Sequence, residues 1–145
     1  MGRKEHPFVC YYNKNLHFAE LINGWLFRGS DRLTADDISD SDRRILTRKG
    51  RNRYKDRFRD LCKSIDGVVF RLLIGVEHQD HVHYAMPVRI MDYDSSSYSV
   101  QKDEISCRHT EAQDLKEDEF LSGFSRTDRL IPVVSLVLYC GARPW

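Results

Sequence analysis

The 145-residue chain lacks the sequence patterns that several common classes of site require. Its four cysteines are widely spaced and form no Cys-x-x-Cys pair, so a zinc ribbon is unsupported. It contains no Gly-x-Ser-x-Gly elbow and no glycine-rich phosphate loop, so nucleophilic catalysis of that type and a phosphate loop have no support either. The chemistry must therefore be sought among carboxylates, histidines and basic residues.

Long apolar runs are also missing. The longest, LIPVVSLVLYC at 130–140, is far too short to span a bilayer, and the opening MGRKEHPFVCYY has no apolar stretch of leader length. We therefore expect a cytoplasmic protein with reduced thiols and no membrane partner. The length suits a single domain over 1–145, and 41% hydrophobic with 31% charged residues indicates a folded chain.

Net charge is nearly absent, but charge is unevenly distributed. The formal net charge is +1, yet the segment from Arg43 to Lys63 holds ten basic and two acidic residues and so carries +8, which leaves −7 for the rest. Such a cluster is typical of a surface that binds polyanions, and equally of a solvated segment that pairs with acidic neighbours. The candidate polyanion-binding residues are Arg48, Lys49, Arg51, Arg53, Lys55 and Arg57.

Local patterns predict helices in the first part of the chain. Apolar residues recur at helical spacing in LHFAELINGWLF (16–27), and Gly29 follows as a stop. In RLTADDISDSDRRIL (32–46), Thr34 is a suitable N-cap and the next turn is acidic, which predicts a second helix. The basic stretch 43–59 is predicted to be partly helical and exposed.

The second part alternates between strands and helices. Asp66-Gly67 between two apolar runs predicts a β-hairpin, and the run VVFRLLIGV (68–76) predicts a central strand covered on both faces. Pro87 is expected to begin a helix, 101–112 to form a loop, 114–124 to contain a short acidic helix and 131–139 to form a fully buried strand. This order predicts an α/β (α+β) fold with a mixed central sheet flanked by helices.

Two carboxylates stand out at the strand ends. Asp60 opens the first hairpin strand and Glu77 closes the second, both at the end away from the turn. A like-charge pair there is costly unless a cation lies between the two, and Mg²⁺ is the natural cation for carboxylate oxygens. A bound Mg²⁺ activates water and stabilises charge on a phosphate. Gln79, two residues beyond Glu77, lies on the same strand face, where its amide could orient water.

Spacing alone leaves alternatives open. A two-residue turn would pair Ile65 with Val68 and set Glu77 opposite Asp56, whereas a longer turn or a bulge would restore Asp60. Paired acids at strand ends also occur in proteins without catalysis. The histidines His78, His81 and His83 suit zinc or iron by ligand type, but surface histidines are the favoured interpretation, because His78 should face away from Glu77.

Several of these stretches together resemble one family. They are RDLCK (59–63), IGVEHQ (74–79), YAMPVRIMDYD (84–94) and PVVSLVLYCGARPW (132–145), preceded by FAELINGWLF (18–27). In this order and at these gaps they are similar to the recombination-promoting nuclease and transposase family of the PD-(D/E)XK nuclease superfamily. The resemblance extends from about Tyr11 to Trp145.

The resemblance implies a Mg²⁺-dependent DNA endonuclease (Mn²⁺ as an alternative metal) with a restriction-endonuclease-like core of order α-β-β-β-α-β. It assigns Asp60, rather than Asp56, and Glu77 as metal ligands, Gln79 to the position usually held by lysine, and Glu20 to an assisting acidic position on the first helix. The first strand of that core is expected within 45–58.

The resemblance also implies partners. DNA is the expected partner, and a homodimer is a further expectation.

Family members usually continue beyond the position of Trp145, so we expect a shortened form of the family. A catalytically inactive DNA-binding remnant is therefore the alternative to an active nuclease.

Overall fold

A computed structural model describes residues 7–41, 44–49, 53–58, 60–66 and 71–145. Within these residues the helices are α1 (Pro7–Tyr12), α2 (Asn15–Leu26), α3 (Met86–Ala112) and α4 (Glu117–Ser122). The strands are β1 (Ile38–Asp40), β2 (Arg44–Lys49), β3 (Arg53–Phe58), β4 (Leu61–Asp66), β5 (Arg71–Gln79) and β6 (Val133–Tyr139).

The main sheet has four strands in the order β1-β4-β5-β6. β4 runs antiparallel to β1 and to β5, whereas β6 runs parallel to β5, so the sheet is mixed. Strands β2 and β3 form a separate antiparallel ribbon between β1 and β4 in the chain. The predicted mixed α/β architecture is confirmed. When the ribbon, the 3₁₀ turn and the short helices α1 and α4 are left aside, the elements α2, β1, β4, β5, α3 and β6 follow in the order α-β-β-β-α-β. A restriction-endonuclease-like core stays a prediction.

Helix α2 covers one face of the sheet, and its position was predicted correctly. Phe18, Ala19 and Ile22 are buried in one cluster with Ile74 and Val76 of β5, because residues three and four apart share a helix face. Three other apolar residues of the same stretch, Leu16, Trp25 and Leu26, are exposed. Gly29, at φ +83°, adopts the left-handed conformation that glycine tolerates after a helix.

Helix α3 covers the other face. Ser135 of β6 donates a hydrogen bond to Asp94 Oδ1 at 2.6 Å, and the Tyr98 hydroxyl accepts one from the backbone N–H of Val133 at 3.0 Å. Gln101 exchanges two hydrogen bonds with the backbone of Ile131. These contacts fix the direction in which α3 crosses the sheet, and therefore which of its side chains reach β5.

Three predictions about residues 32–59 were wrong. Thr34 does form a capping box with Asp37, but the helix that it begins is a single 3₁₀ turn, Ala35–Asp37. The chain then pairs with β4, where Ile38 lies buried opposite Ile65, so burial in the sheet overrides a local helix signal. The basic stretch predicted as partly helical instead pairs its backbone as the β2–β3 ribbon. The strand that precedes β4 in the main sheet is thus β1, outside the expected 45–58.

Two predictions in the second half also need correction. The polar stretch 101–112, expected to be a loop, continues α3 as far as Ala112, because good helix formers such as Lys102, Glu104 and Arg108 recur along it and Ile105 is buried. Strand β6 was expected to be fully buried, but among the described strands it pairs with β5 alone, and Leu136 is its one buried residue. The predicted central position of β5 is confirmed.

Candidate active site

The register of the β4–β5 hairpin decides which carboxylate faces Glu77. Leu61 lies opposite Val76, so Asp60, one residue earlier, lies opposite Glu77 at the end of the two strands. The pairing of Ile65 with Val68 that a two-residue turn would require is wrong, because Ile65 lies opposite Leu72. Asp56 belongs to β3 in the separate ribbon. The connection between β4 and β5 is longer than two residues, and it therefore sets Asp60 rather than Asp56 opposite Glu77.

The carboxylate of Asp60 is held against the neighbouring strand. Its Oδ2 accepts a hydrogen bond from the backbone N–H of His78 at 2.8 Å. A charge-assisted hydrogen bond from a backbone N–H restricts the rotation of a carboxylate. Asp60 is only half-buried, so this carboxylate remains accessible from solvent while its position is fixed.

Glu77 has the opposite exposure: none of its side chain is accessible to solvent. A buried carboxylate is costly to ionise unless a cation compensates it. Arg89 supplies that cation, with Nη2 3.1 Å from Glu77 Oε2. Arg89 lies in the first turn of α3, where the helix dipole disfavours a positive charge. The ion pair across the helix–sheet boundary offsets that disadvantage.

Tyr93 fixes the other side of the Arg89 side chain. Arg89 Nε donates a hydrogen bond at 3.0 Å to the hydroxyl of Tyr93, one helical turn further along. Partial burial acts against the charged guanidinium, but this hydrogen bond and the negative charges of Glu77 and Asp60 outweigh it and raise the pKa of Arg89. Arg89 therefore carries a permanent positive charge beside both carboxylates.

Gln79 lies on the same side of the sheet as Glu77. Side chains alternate along a strand, and His78, between the two, stacks on Phe8 of α1 with ring centroids 4.5 Å apart on the opposite side. Gln79 is half-buried, and its backbone carbonyl accepts a hydrogen bond from Cys140 at 2.8 Å. The sheet end thus presents an accessible carboxylate, a buried carboxylate and an amide toward α3.

Glu20 lies apart from this group. It belongs to α2, which covers the other face of the sheet, and its side chain is 63% exposed with Oε2 3.2 Å from His17 Nδ1. The structure therefore brings Asp60, Glu77 and Gln79 together and pairs Glu20 with a histidine instead. Its assisting role stays a prediction.

Of the three histidines considered as metal ligands, His81 and His83 lie after β5. His81 Nδ1 is 2.7 Å from Asp80 Oδ1, and this contact lowers the pKa of Asp80. His83 is exposed. Over the described ranges, no three histidine, cysteine or acidic side chains converge in the way that a metal ion held by those groups alone would need.

The predicted polyanion-binding residues lie mainly on the ribbon. Arg48 and Lys49 belong to β2, Arg53, Lys55 and Arg57 belong to β3, and Arg51 lies outside the described residues. Lys63, counted in the basic segment, has a different role. It is 1% exposed, and its ammonium donates hydrogen bonds to Asp40, Asn13 and Asn15. The positive charge of Lys63 is therefore paired within the fold and is not available at the surface.

The donor set at the sheet end fits a hard divalent cation in its chemistry. Mg²⁺ prefers oxygen ligands, and one or two carboxylates suffice because the ion keeps several of its waters. Among the described side chains at this point, the charges of Asp60 and Glu77 exceed that of Arg89 by one. The excess negative charge favours a cation at Asp60, whereas Arg89 already takes one side of Glu77.

Sequence reasoning missed Arg89. The available signal was an arginine in a first helical turn, where its charge is unfavourable without an acidic partner.

No protein-family model, curated protein or solved structure matches the chain. None of the helices in the described part of the chain is both long and apolar enough to cross a membrane.

Proposed function

We propose that this protein is a Mg²⁺-dependent DNA endonuclease that hydrolyses phosphodiester bonds. The observation that carries the proposal is the register of β4 and β5, in which Asp60 lies opposite Glu77 and Gln79 follows on the same face. Two carboxylates and an amide at one strand end are a suitable set for metal-assisted hydrolysis of a phosphate ester. The family resemblance assigns the same three residues.

In this mechanism Asp60 and Glu77 would hold the metal ion. The bound ion would supply an activated water and offset negative charge on the phosphate. The hydrogen bond from His78 keeps Asp60 oriented toward the site, and burial keeps Glu77 in one position. Gln79 carries no charge, so its amide orients water by hydrogen bonding and does not act as a general base.

The basic ribbon is the proposed DNA-binding surface. Five of the six candidate residues belong to β2 and β3, and a two-stranded antiparallel ribbon has dimensions that fit the major groove of B-DNA. Lysine and arginine contacts to phosphates give binding that weakens steeply with salt and depends little on sequence. Replacing Lys49 and Arg53 together by glutamine is expected to weaken binding uniformly and to reduce its salt dependence.

A second candidate function is a DNA-binding domain without catalysis. The observation that favours it is Arg89, whose guanidinium already pairs with the buried carboxylate that would bind the metal. In this alternative Arg89 substitutes permanently for the metal ion. The protein would then bind DNA with the same salt dependence and leave it intact.

Plasmid cleavage separates the two candidates. We expect metal-dependent nicking by the wild-type protein, and a loss of at least about a hundredfold in Glu77→Gln and in Asp60→Asn, because removing a ligand costs more than removing an outer-shell partner. The exposed His81→Ala variant is the matched control and should nick at the wild-type rate. Retained nicking in Asp60→Asn would rule out the metal assignment. Salt-sensitive binding with no nicking by any purified form would establish the second candidate.

A further inference from the structure

Arg89 and a divalent cation require the same carboxylate. Glu77 is completely buried, and the guanidinium of Arg89 lies 3.1 Å from its Oε2. A metal ion on either oxygen of Glu77 would lie within a few ångströms of a permanent positive charge, in surroundings that screen charge poorly. The two cations must therefore oppose each other's binding.

We propose that Arg89 is a built-in competitor for the metal site, which neutralises Glu77 in the metal-free protein and gives way when a divalent cation binds. This inference rests on the metal site of the proposed function and adds a positioning residue that controls its occupancy. By thermodynamic reciprocity, whatever strengthens the Arg89–Glu77 pair weakens metal binding by the same factor.

Arg89 has the features that this role requires. Its side chain is 35% exposed, so the guanidinium can move toward solvent without crossing the protein core. The hydrogen bond from Nε to the Tyr93 hydroxyl, and the position of the guanidinium carbon 5.4 Å from the centre of the Tyr93 ring, provide contacts that do not involve Glu77. Glu77, in contrast, is completely buried, so its negative charge is costly without a cation beside it.

Thermal unfolding of metal-free and metal-loaded protein tests the competition. In EDTA, Arg89→Met is expected to melt roughly 10 °C below the wild type, because the buried carboxylate loses its counter-charge. Added Mg²⁺ or Mn²⁺ should restore most of that loss in Arg89→Met and shift the wild type much less. The Glu77→Gln/Arg89→Met double variant is the matched control and should not respond to either metal.

Direct Mn²⁺ titration, followed by electron paramagnetic resonance, gives a second readout. Arg89→Met is expected to bind Mn²⁺ at least about tenfold more tightly than the wild type. Arg89→Lys keeps a positive charge and serves where Arg89→Met does not fold. Its ammonium lacks the planar fork, so we expect Mn²⁺ binding several-fold tighter than in the wild type. Unchanged Mn²⁺ affinity in every folded Arg89 variant would overturn the proposal.

These measurements contain no DNA, so the failure of one proposal can be told from the failure of the other. Tighter metal binding in Arg89→Met, in a protein that nicks no plasmid, would support the competition and reject the nuclease. Metal-dependent nicking together with unchanged Mn²⁺ affinity in Arg89→Met would support the nuclease and reject the competition.

Discussion

Two regions of the molecule place one cationic side chain near two carboxylates, and they do so with different chemistry. At the end of the sheet, Arg89 lies 3.1 Å from the buried Glu77 and is further stabilised by the charge of Asp60. At the far end of α3, His109 lies 2.6 Å from Asp114 through Nδ1 and 2.8 Å from Asp128 through Nε2. The first cluster joins α3 to β5, and the second joins α3 to the connection that leads to β6.

The difference lies in how the positive charge is maintained. A guanidinium stays protonated at any physiological pH, whereas a neutral imidazole has a single N–H and can donate to only one carboxylate. With an acceptor at each ring nitrogen, the observed geometry requires the doubly protonated ring. The hydrogen bonds to Asp114 and Asp128 outweigh burial and raise the pKa of His109.

The surroundings of His109 support the same charge state. Burial acts to raise the pKa of Asp128, but the backbone N–H of Ser125 and the His109 ring outweigh it and lower that pKa. Glu119 on α4 has a lowered pKa, chiefly through the backbone N–H of Arg126, and adds negative charge near His109. Arg108 is a nearby cation that also favours the ionised form of Asp128. The cation of the sheet-end cluster therefore keeps its charge at any physiological pH, whereas the charge of His109 depends on pH.

The largest expected effect comes from breaking the Arg89–Glu77 ion pair of the sheet-end cluster. Arg89→Met should lower the free energy of unfolding by about 3 kcal/mol, the low end for breaking a buried ion pair, because a third of the Arg89 side chain is exposed and screened. Glu77→Met/Arg89→Met should recover most of that loss, since no buried charge is left over. Urea unfolding in EDTA measures both. A double variant as unstable as Arg89→Met would show that shape, rather than charge, dominates this contact.

A smaller, pH-dependent effect is expected at the second cluster. Because the folded pKa of His109 is raised above its ordinary value of 6.5, the stability that it contributes is fully present below about pH 6.5 and is lost as pH rises through the higher folded pKa. Urea unfolding of the wild type and His109→Gln across this range should give curves that converge toward high pH.

The Glu77→Met/Arg89→Met double variant is the control for that experiment. Its difference from the wild type should stay constant over the same pH range, because it leaves neither the guanidinium nor a buried carboxylate at that point to titrate. A His109→Gln difference that is equally constant would contradict the doubly protonated ring.

The smallest expected effect is on a single titration. Asp128→Asn removes one of the two carboxylates at His109, so the pKa of His109 should fall while staying above its ordinary value through Asp114. Nuclear magnetic resonance titration of the ring protons measures it. Asp60→Asn, which alters the sheet-end cluster, should leave the His109 titration unchanged. An unaltered His109 pKa in Asp128→Asn would exclude the contact with Asp128 in solution.

Much of the fold was predictable where local patterns are strong. Helix α2, the β4–β5 hairpin and the central position of β5 follow from apolar spacing, a turn dipeptide and a continuous apolar run. Strand β1 was missed because three residues carry no period of their own, and they become a strand only by pairing with β4. The β2–β3 ribbon was missed because its backbone pairing, not its apolar pattern, defines it.

The candidate site divides in the same way. Asp60, Glu77 and Gln79 were identified from their positions at strand ends, but spacing left two choices of partner for Glu77. The family resemblance favoured Asp60, and the register sets Asp60, not Asp56, opposite Glu77. Arg89 was missed altogether, because its contact with Glu77 depends on how α3 crosses the sheet, which Ser135, Tyr98 and neighbouring residues of α3 and β6 determine from the opposite end.

The sequence by itself determined the residue types at the strand ends, the concentration of positive charge in 43–63 and the helices and strands with clear periodicity, because these depend on neighbours a few positions away. Only the tertiary structure decided that Asp60 faces Glu77, that Arg89 compensates the buried charge and that Lys63 serves the interior. Those outcomes depend on the length of one turn and the direction of one helix, which bring together residues far apart in the chain.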